Sequence, residues 1–331
     1  GHYSTIVTAS LTAVYEEEEE MGDNESHMMR MYGDDGYQHL SISAKMQALT
    51  TTASPDFNSH MYRLQQTGIF IFDPYTMAAA VGDRSGQGLR PLELAFIMQS
   101  AQTLFIQNTN SLALKNVFKH FIGSKVVLCG GSLSCIDALF LLSYIGDRRE
   151  TVSLHISDTY IAFSALLAMI QCLGEPSTNA GAMIAMLCRG IKVVPPSLNC
   201  LNALTELSID TASIGPMGMA LLIACLRTNS TISTVILKIN NPADVLPCYA
   251  NALGLLTIND YIKELRIFGA PLAAREVKAL YEAVYGGLRG LSLLEFGAVQ
   301  DPPTMELSSR IIELAKDRLY AGRGSLSVSV I

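Results

Sequence analysis

Apolar positions in the C-terminal half of the chain fall in a repeated six-residue pattern. The first, fourth and sixth places are filled by Leu204, Leu207 and Ile209, then by Ile232, Val235 and Leu237, by Ile262, Leu265 and Ile267, and by Leu288, Leu291 and Leu293. Strand side chains alternate between faces, so a fourth and a sixth apolar residue predict a short strand with those two turned inward. The fourth places are residues 207, 235, 265 and 291, spaced by 28, 30 and 26. Between the strands apolar residues recur every three or four positions, as in Leu222 and Leu226 after Gly218, or Val277, Leu280 and Val284. That period predicts an amphipathic helix. Each unit is one strand and one helix, and a unit this small buries its leucines only by stacking on its neighbours.

The same spacing extends upstream in weaker form, with strands expected at Leu104 to Ile106, Val126 to Leu128 and Val152 to Leu154, and further candidates at Ile69 to Ile71 and Leu40 to Ile42. Helices are expected at Tyr160 to Leu173 and at Ala180 to Cys188, followed by an irregular loop at Pro195 and Pro196. A diverged repeat or an insertion therefore occupies residues 174–203. A helix from Met305 to Leu319 precedes Leu326, Val328 and Val330, whose two-residue alternation predicts a closing strand. The domain plan is an N-terminal arm over 1–35 and a repeat array of roughly nine to eleven units over 36–331.

The run from Ile214 to Asn240 carries a more specific signal. Gly218 opens the helix, Leu222 and Leu226 follow four and eight residues later, Asn229 closes it, and Ile232, Val235 and Leu237 form the next strand. Asn259 and Ile262 repeat the closing asparagine and the strand start. This stretch resembles a leucine-rich repeat of the ribonuclease-inhibitor-like class. The resemblance implies an α/β solenoid, a horseshoe with parallel strands on its concave face and helices on its convex face. That class also carries Asn or Cys five residues past the fourth place. Here those positions hold Thr109, Gly131, Ser157, Ala212, Asn240, Ala270 and Phe296, so only Asn240 conforms and the repeats are degenerate.

Strand alternation places Phe105, Gln107, Val127, Cys129, Ser153, His155, Glu206, Ser208, Asp210, Ile236, Lys238, Glu264, Arg266, Phe268, Ser292 and Leu294 on the open sheet face. Signs alternate there among Asp210, Lys238, Glu264 and Arg266, with Ile236 and Phe268 between them. Aromatic and arginine anchors among apolar residues suit a protein or peptide partner. The candidate partner-binding set is Phe105, Gln107, His155, Glu206, Asp210, Ile236, Lys238, Glu264, Arg266 and Phe268.

Composition then narrows the classes. The 331 residues carry 23 Lys and Arg against 30 Asp and Glu, a formal charge of −7, which disfavours generic nucleic-acid binding. Only 16% of residues are charged, 49% are hydrophobic, and the mean hydropathy is +0.29. An average soluble domain is about 25% charged, so this chain is expected to bury much surface against itself or against other proteins. The longest apolar stretch, Tyr160 to Gly174, stops at Glu175 and Pro176, too short for a membrane span. No secretory signal is legible at the start, and Gly1 to Thr5 would read as a myristoylation context only behind an initiator methionine. The seven cysteines include no C-x-x-C pair and predict buried thiols in a reducing, intracellular setting, cytoplasmic, with cytoskeletal association as the open alternative.

No chemistry-bearing motif emerges. The run Glu16 to Glu20, with Asp23 and Glu25 beyond it, reads as a solvated acidic arm or as a contact for a basic partner. Residues 82–88 are glycine-rich but lack the Lys and Ser/Thr of a phosphate loop. None of the six histidines has metal-ligand spacing, and no serine sits in G-x-S-x-G, so no catalytic residue, metal or cofactor is nominated. The expected function is a non-enzymatic scaffold for other proteins. Two alternatives stay open: a structural subunit of a large assembly, cytoskeletal or ribonucleoprotein, and a GTPase-activating or other enzyme-regulating repeat protein. The last would require a matched arginine and an acidic C-terminal tail, and neither is present.

Overall fold

The computed structural model describes residues 55–72, 91–109, 118, 120–173 and 203–331. The expectations for the arm over 1–35, the strand at Leu40 to Ile42, the glycine-rich run at 82–88, the helix at Ala180 to Cys188 and nearly all of the irregular segment lie outside them. Among the described residues the chain is α/β, with ten strands and eight α-helices, and every recorded strand pairing is parallel. It divides into two compact units, Gly1–Val127 and Leu128–Ile331.

In the first unit, helix α1 (Pro55–Thr67) leads into strand β1 (Ile69–Phe72), and helix α2 (Pro91–Ser100) into strand β2 (Thr103–Thr109). Strand β3 (Lys125–Leu133) starts here and crosses the division. The register pairs Phe70 with Leu104 and Phe72 with Ile106. Phe70 and Phe72 are buried while Ile69 and Ile71 are exposed, so the inward pair of β1 lies one residue later than the spacing implied. A one-residue slip moves every side chain to the other face. Two large phenylalanines fill the core better than the branched residues beside them.

The second unit is the more regular. After β3 come helix α3 (Cys135–Gly146), strand β4 (Val152–Ser157), the two-residue strand β5 (Tyr160–Ile161) and helix α4 (Phe163–Leu173). Then follow β6 (Leu204–Asp210), α5 (Thr211–Leu226), β7 (Thr234–Ile239), α6 (Cys248–Leu255), β8 (Glu264–Leu272), α7 (Ala274–Gly286), β9 (Leu293–Ala298), α8 (Pro302–Tyr320) and β10 (Ser327–Val330). Strand order is β3–β4–β6–β7–β8–β9–β10, with β5 beside β3. Sequential parallel strands joined by right-handed crossovers put all the connecting helices on one face and leave the other free of helices.

Register is continuous through Leu154, Leu207, Val235, Leu265, Leu294 and Val328. This corrects one expected repeat: the partner of Leu265 is Leu294, not Leu291, and the last spacings become 28, 30 and 29. Leu288 and Leu291 are buried, which is why they mimic the strand pattern, but they sit in the preceding turn, where the Leu291 N–H bonds Leu288 O at 3.0 Å. Leu291, Leu294 and Phe296 are the true counterparts of Ile262, Leu265 and Ile267. Leu207, Val235, Leu265 and Leu294 are each fully buried, and with Ile209, Leu237, Ile267 and Phe296 they form two apolar rows under the helices.

Helix α5 is kinked at Gly215, whose φ of 73° breaks the helical run just before Pro216. Just past the kink the Pro216 carbonyl accepts from Tyr249 Oη at 2.9 Å, joining α5 to α6. Gly218 then lies against Leu166 of α4, where a Cβ would crowd the leucine side chain.

Candidate functional site

The helix-free face of the second unit carries seven of the ten expected partner-binding residues: His155, Glu206, Ile236, Lys238, Glu264, Arg266 and Phe268. One row across it runs Ser153, Glu206, Thr234, Glu264 and Leu293, and the next runs His155, Ser208, Ile236, Arg266 and Glu295. Each of these is partly exposed, in alternation with the buried rows. Lys238 and Phe268 pair in register at the exit end of β7 and β8, and both are exposed.

Polar chemistry gathers at β4 and β6. Ser153 Oγ donates to Glu206 Oε2 at 2.7 Å, and His155 Nε2 lies 3.4 Å from Glu206 Oε1. The hydroxyl directs its proton at the carboxylate and not at the imidazole. The set is therefore a tie between two strands, unlike the hydroxyl-to-base contact that activates a nucleophile. On β8, Arg266 Nη2 stands 3.8 Å from Glu264 Oε2, with both side chains 41% exposed, a pair of little energetic weight. The Arg266 Nε, in contrast, is buried and has no hydrogen-bond partner among the described residues.

Three expected face residues are placed elsewhere. Asp210 is 2% exposed: its carboxylate caps α5, with Oδ1 accepting from the Ser213 N–H at 3.0 Å and Oδ2 from the Asp158 N–H at 3.2 Å. An aspartate at a strand end satisfies the orphan N–H groups of the next helix better than it serves a surface. Leu294 is buried and Ser292 precedes β9, both consequences of the three-residue register correction. Leu293 and Glu295 occupy the face instead, with Leu291, Leu294 and Phe296 as the signal for them, and Thr234 joins it from the position before Val235. Phe105 and Gln107 lie on β2 of the first unit, opposite its buried Leu104 and Ile106.

Two hydrogen-bonded seams hold the edges of this sheet. At the entry edge, where strands begin, Asn229 and Asn259 are buried. Asn259 Oδ1 accepts from the Tyr261 and Ile262 N–H groups at 2.8 and 2.9 Å, and its Nδ2 donates back to Leu226 O and Asn229 O at 2.6 and 3.0 Å. Asn229 repeats the arrangement, with Nδ2 donating to Leu173 O at 2.9 Å. In the following turn Leu288 stands in the equivalent place at φ 45°, and Arg318 Nη2 reaches over from α8 to Gly287 O and Leu288 O at 2.8 and 3.1 Å.

At the exit edge the partners change from turn to turn. Thr159 N–H donates to Ser213 Oγ at 3.1 Å, and Asn240 Oδ1 accepts from the Ala212 N–H at 2.8 Å. The Thr211 hydroxyl lies 2.8 Å from Asp244 Oδ2. Ser134 and Asp137 form a reciprocal cap on α3, and burial pushes the Asp137 carboxyl up from its ordinary value against the opposing hydrogen bonds from Ser134. Asp301 caps α8, with Oδ1 accepting from the Thr304 N–H at 2.9 Å, and hydrogen bonding from Thr304 holds its carboxyl below the ordinary value.

Cys129, Cys135, Cys172, Cys225 and Cys248 carry free thiols, of which only Cys172 is fully buried, so the expected burial of thiols is partial. Burial pushes the Cys225 thiol up to about 11. Among the described residues no helix is long and apolar enough to cross a membrane, and no three His, Cys, Asp or Glu side chains are grouped to hold a metal ion. No family model matches the chain, and no curated protein matches it in sequence.

Proposed function

We propose that this chain is a non-enzymatic leucine-rich-repeat scaffold of the reducing intracellular compartment that binds other proteins through the helix-free face of its second unit. Arg266 carries the reading: a half-exposed guanidinium stands at the centre of that face, flanked in register by Ile236 and Glu295, with the Glu264 carboxylate 3.8 Å away. A weakly paired arginine beside apolar side chains on an open face has the composition of a protein-interface anchor. Phe268, 37% exposed, and Ile236 supply apolar contact beside it. The strand-and-helix spacing, with Asn229 and Asn259 each closing a turn, supports the repeat class.

The test is partner capture by in-cell crosslinking with the unaltered chain and with a variant carrying Lys238→Glu, Arg266→Glu and Phe268→Ala. Partners recovered by the first and lost from the second support the reading. Partners retained in full by the variant remove the helix-free face as the binding surface.

A further inference from the structure

A second surface lies at the entry edge of the same unit, where each helix ends and the chain turns into the next strand. Four successive turns are joined there. Asn259 ties the second turn to Asn229 of the first, the Leu288 N–H bonds Thr257 O at 3.3 Å, and Arg318 bonds the third turn from the end of α8. A Cβ on Gly287 would overlap the Thr257 carbonyl oxygen, so the second and third turns are in direct backbone contact.

Along this joined edge stand three tyrosines that the core does not use: Tyr261, Tyr285 and Tyr320 are 45%, 69% and 87% exposed. Interleaved with them are the exposed cations Lys263, Arg289 and Arg323. Within residues 226–233, 257–263, 286–292 and 318–326 Asp260 is the only carboxylate against Arg227, Lys263, Arg289, Arg318 and Arg323, so the turns themselves carry net positive charge on a chain of net charge −7, with Glu264, Glu282 and Asp317 just beyond them. A cation at a helix C-terminus complements the helix dipole, which accounts for each charge singly. It does not account for the exposed aromatic rings between them, of which Tyr285 stacks on Tyr281 with ring centroids 6.0 Å apart and keeps its other side open. Tyrosine and arginine together are the composition of protein-interface anchors, and outward guanidinium groups select carboxylates.

We propose that this entry edge is a docking site for an acidic segment of a partner protein, with carboxylates meeting Lys263, Arg289 and Arg323 and an apolar side chain lying against Tyr285 and Tyr320. It is separate from the helix-free face and stands or falls without it. A nucleic acid is the less favoured occupant, because the net negative charge of the chain opposes a phosphate backbone.

The probe is a fluorescein-labelled peptide of five consecutive glutamates flanked by a tyrosine and a methionine, titrated with the full chain and followed by anisotropy. Binding is expected to weaken with added salt and to vanish for the glutamine counterpart of the peptide. Arg289→Glu with Arg323→Glu should weaken it by about tenfold per reversed charge, and Tyr285→Ala with Tyr320→Ala by about tenfold. Lys238→Glu with Arg266→Glu should leave it unchanged. Circular dichroism confirms that each variant is folded, and Arg289→Gln with Arg323→Gln carries the same prediction, at smaller loss, should the reversals unfold the chain. The proposal is overturned if the peptide does not bind, if the reversed-charge edge binds it equally well, or if single-stranded RNA of equal charge displaces it.

Discussion

The two edges of the second unit's sheet meet the same difficulty in different ways. At each edge the chain reverses between helix and strand and leaves backbone N–H and C=O groups that must be satisfied. Two successive turns of the entry edge use one side-chain type in one geometry, the amides of Asn229 and Asn259, each binding its own turn and the turn before it. The exit edge uses whatever short polar group is at hand: Ser134 with Asp137, Asp210 with Ser213, Asn240 with Thr211, Asp301 with Thr304. A side chain that is both donor and acceptor can serve two repeats at once and is therefore hard to replace. A cap that serves one helix can be made in several ways.

The strongest calibration of this contrast lies midway between the edges. Leu237 is 1% exposed in the buried row common to both seams. Leu237→Ala is expected to lower unfolding free energy by ~2–5 kcal/mol in urea denaturation, through lost burial and a residual cavity. A change near zero would show that stacking does not depend on this row.

Next come the seams themselves. Asn259→Ala removes four hydrogen bonds and strands backbone groups in two turns, an expected cost of about 2–4 kcal/mol. Asp210→Ala removes the α5 cap and the single bond from the Asp158 N–H of the preceding turn, and should cost about 1–2 kcal/mol by the same measurement. An equal loss from both would show that the four-bonded amide holds its turns no more firmly than a helix cap does.

The smallest effect concerns pH. The Asp301 carboxyl is held below its ordinary value, so its contribution is present above the unfolded-state value and is lost as pH falls through the folded-state value. Asp301→Asn keeps the capping oxygen and removes the titration. Its Tm should lie slightly below that of the unaltered chain near ~pH 7, and the two should converge toward ~pH 2. Parallel curves would mean that the charge on this cap contributes nothing.

The same contrast explains what could be read from the amino-acid order. Asn229 and Asn259, each followed three residues later by a buried isoleucine, are imposed by geometry at both ends of the side chain, so they stand out in the sequence. The third turn dispenses with the amide, puts Leu288 in its place and borrows Arg318 from a later helix. Without the marker, the buried pair Leu288 and Leu291 passed for a strand. Asp210 failed for another reason: alternation assigns it a face, but the carboxylate is drawn to the helix N-terminus instead. The Ser153, His155 and Glu206 tie depends on β4 lying beside β6, across a stretch of sequence where no repeat spacing is legible.

The amide seam also places two heat-labile side chains at a structural joint. Asparagine is among the residues most prone to chemical loss on heating. Hydrolysis of the Asn259 side chain would replace two N–H donors with a carboxylate oxygen aimed at the carbonyl oxygens of Leu226 and Asn229. The turn could not re-form on cooling, and heat damage at this edge would accumulate with time instead of reversing. Arg318 has no hydrolysable amide, so the last tie of the seam would outlive the two before it.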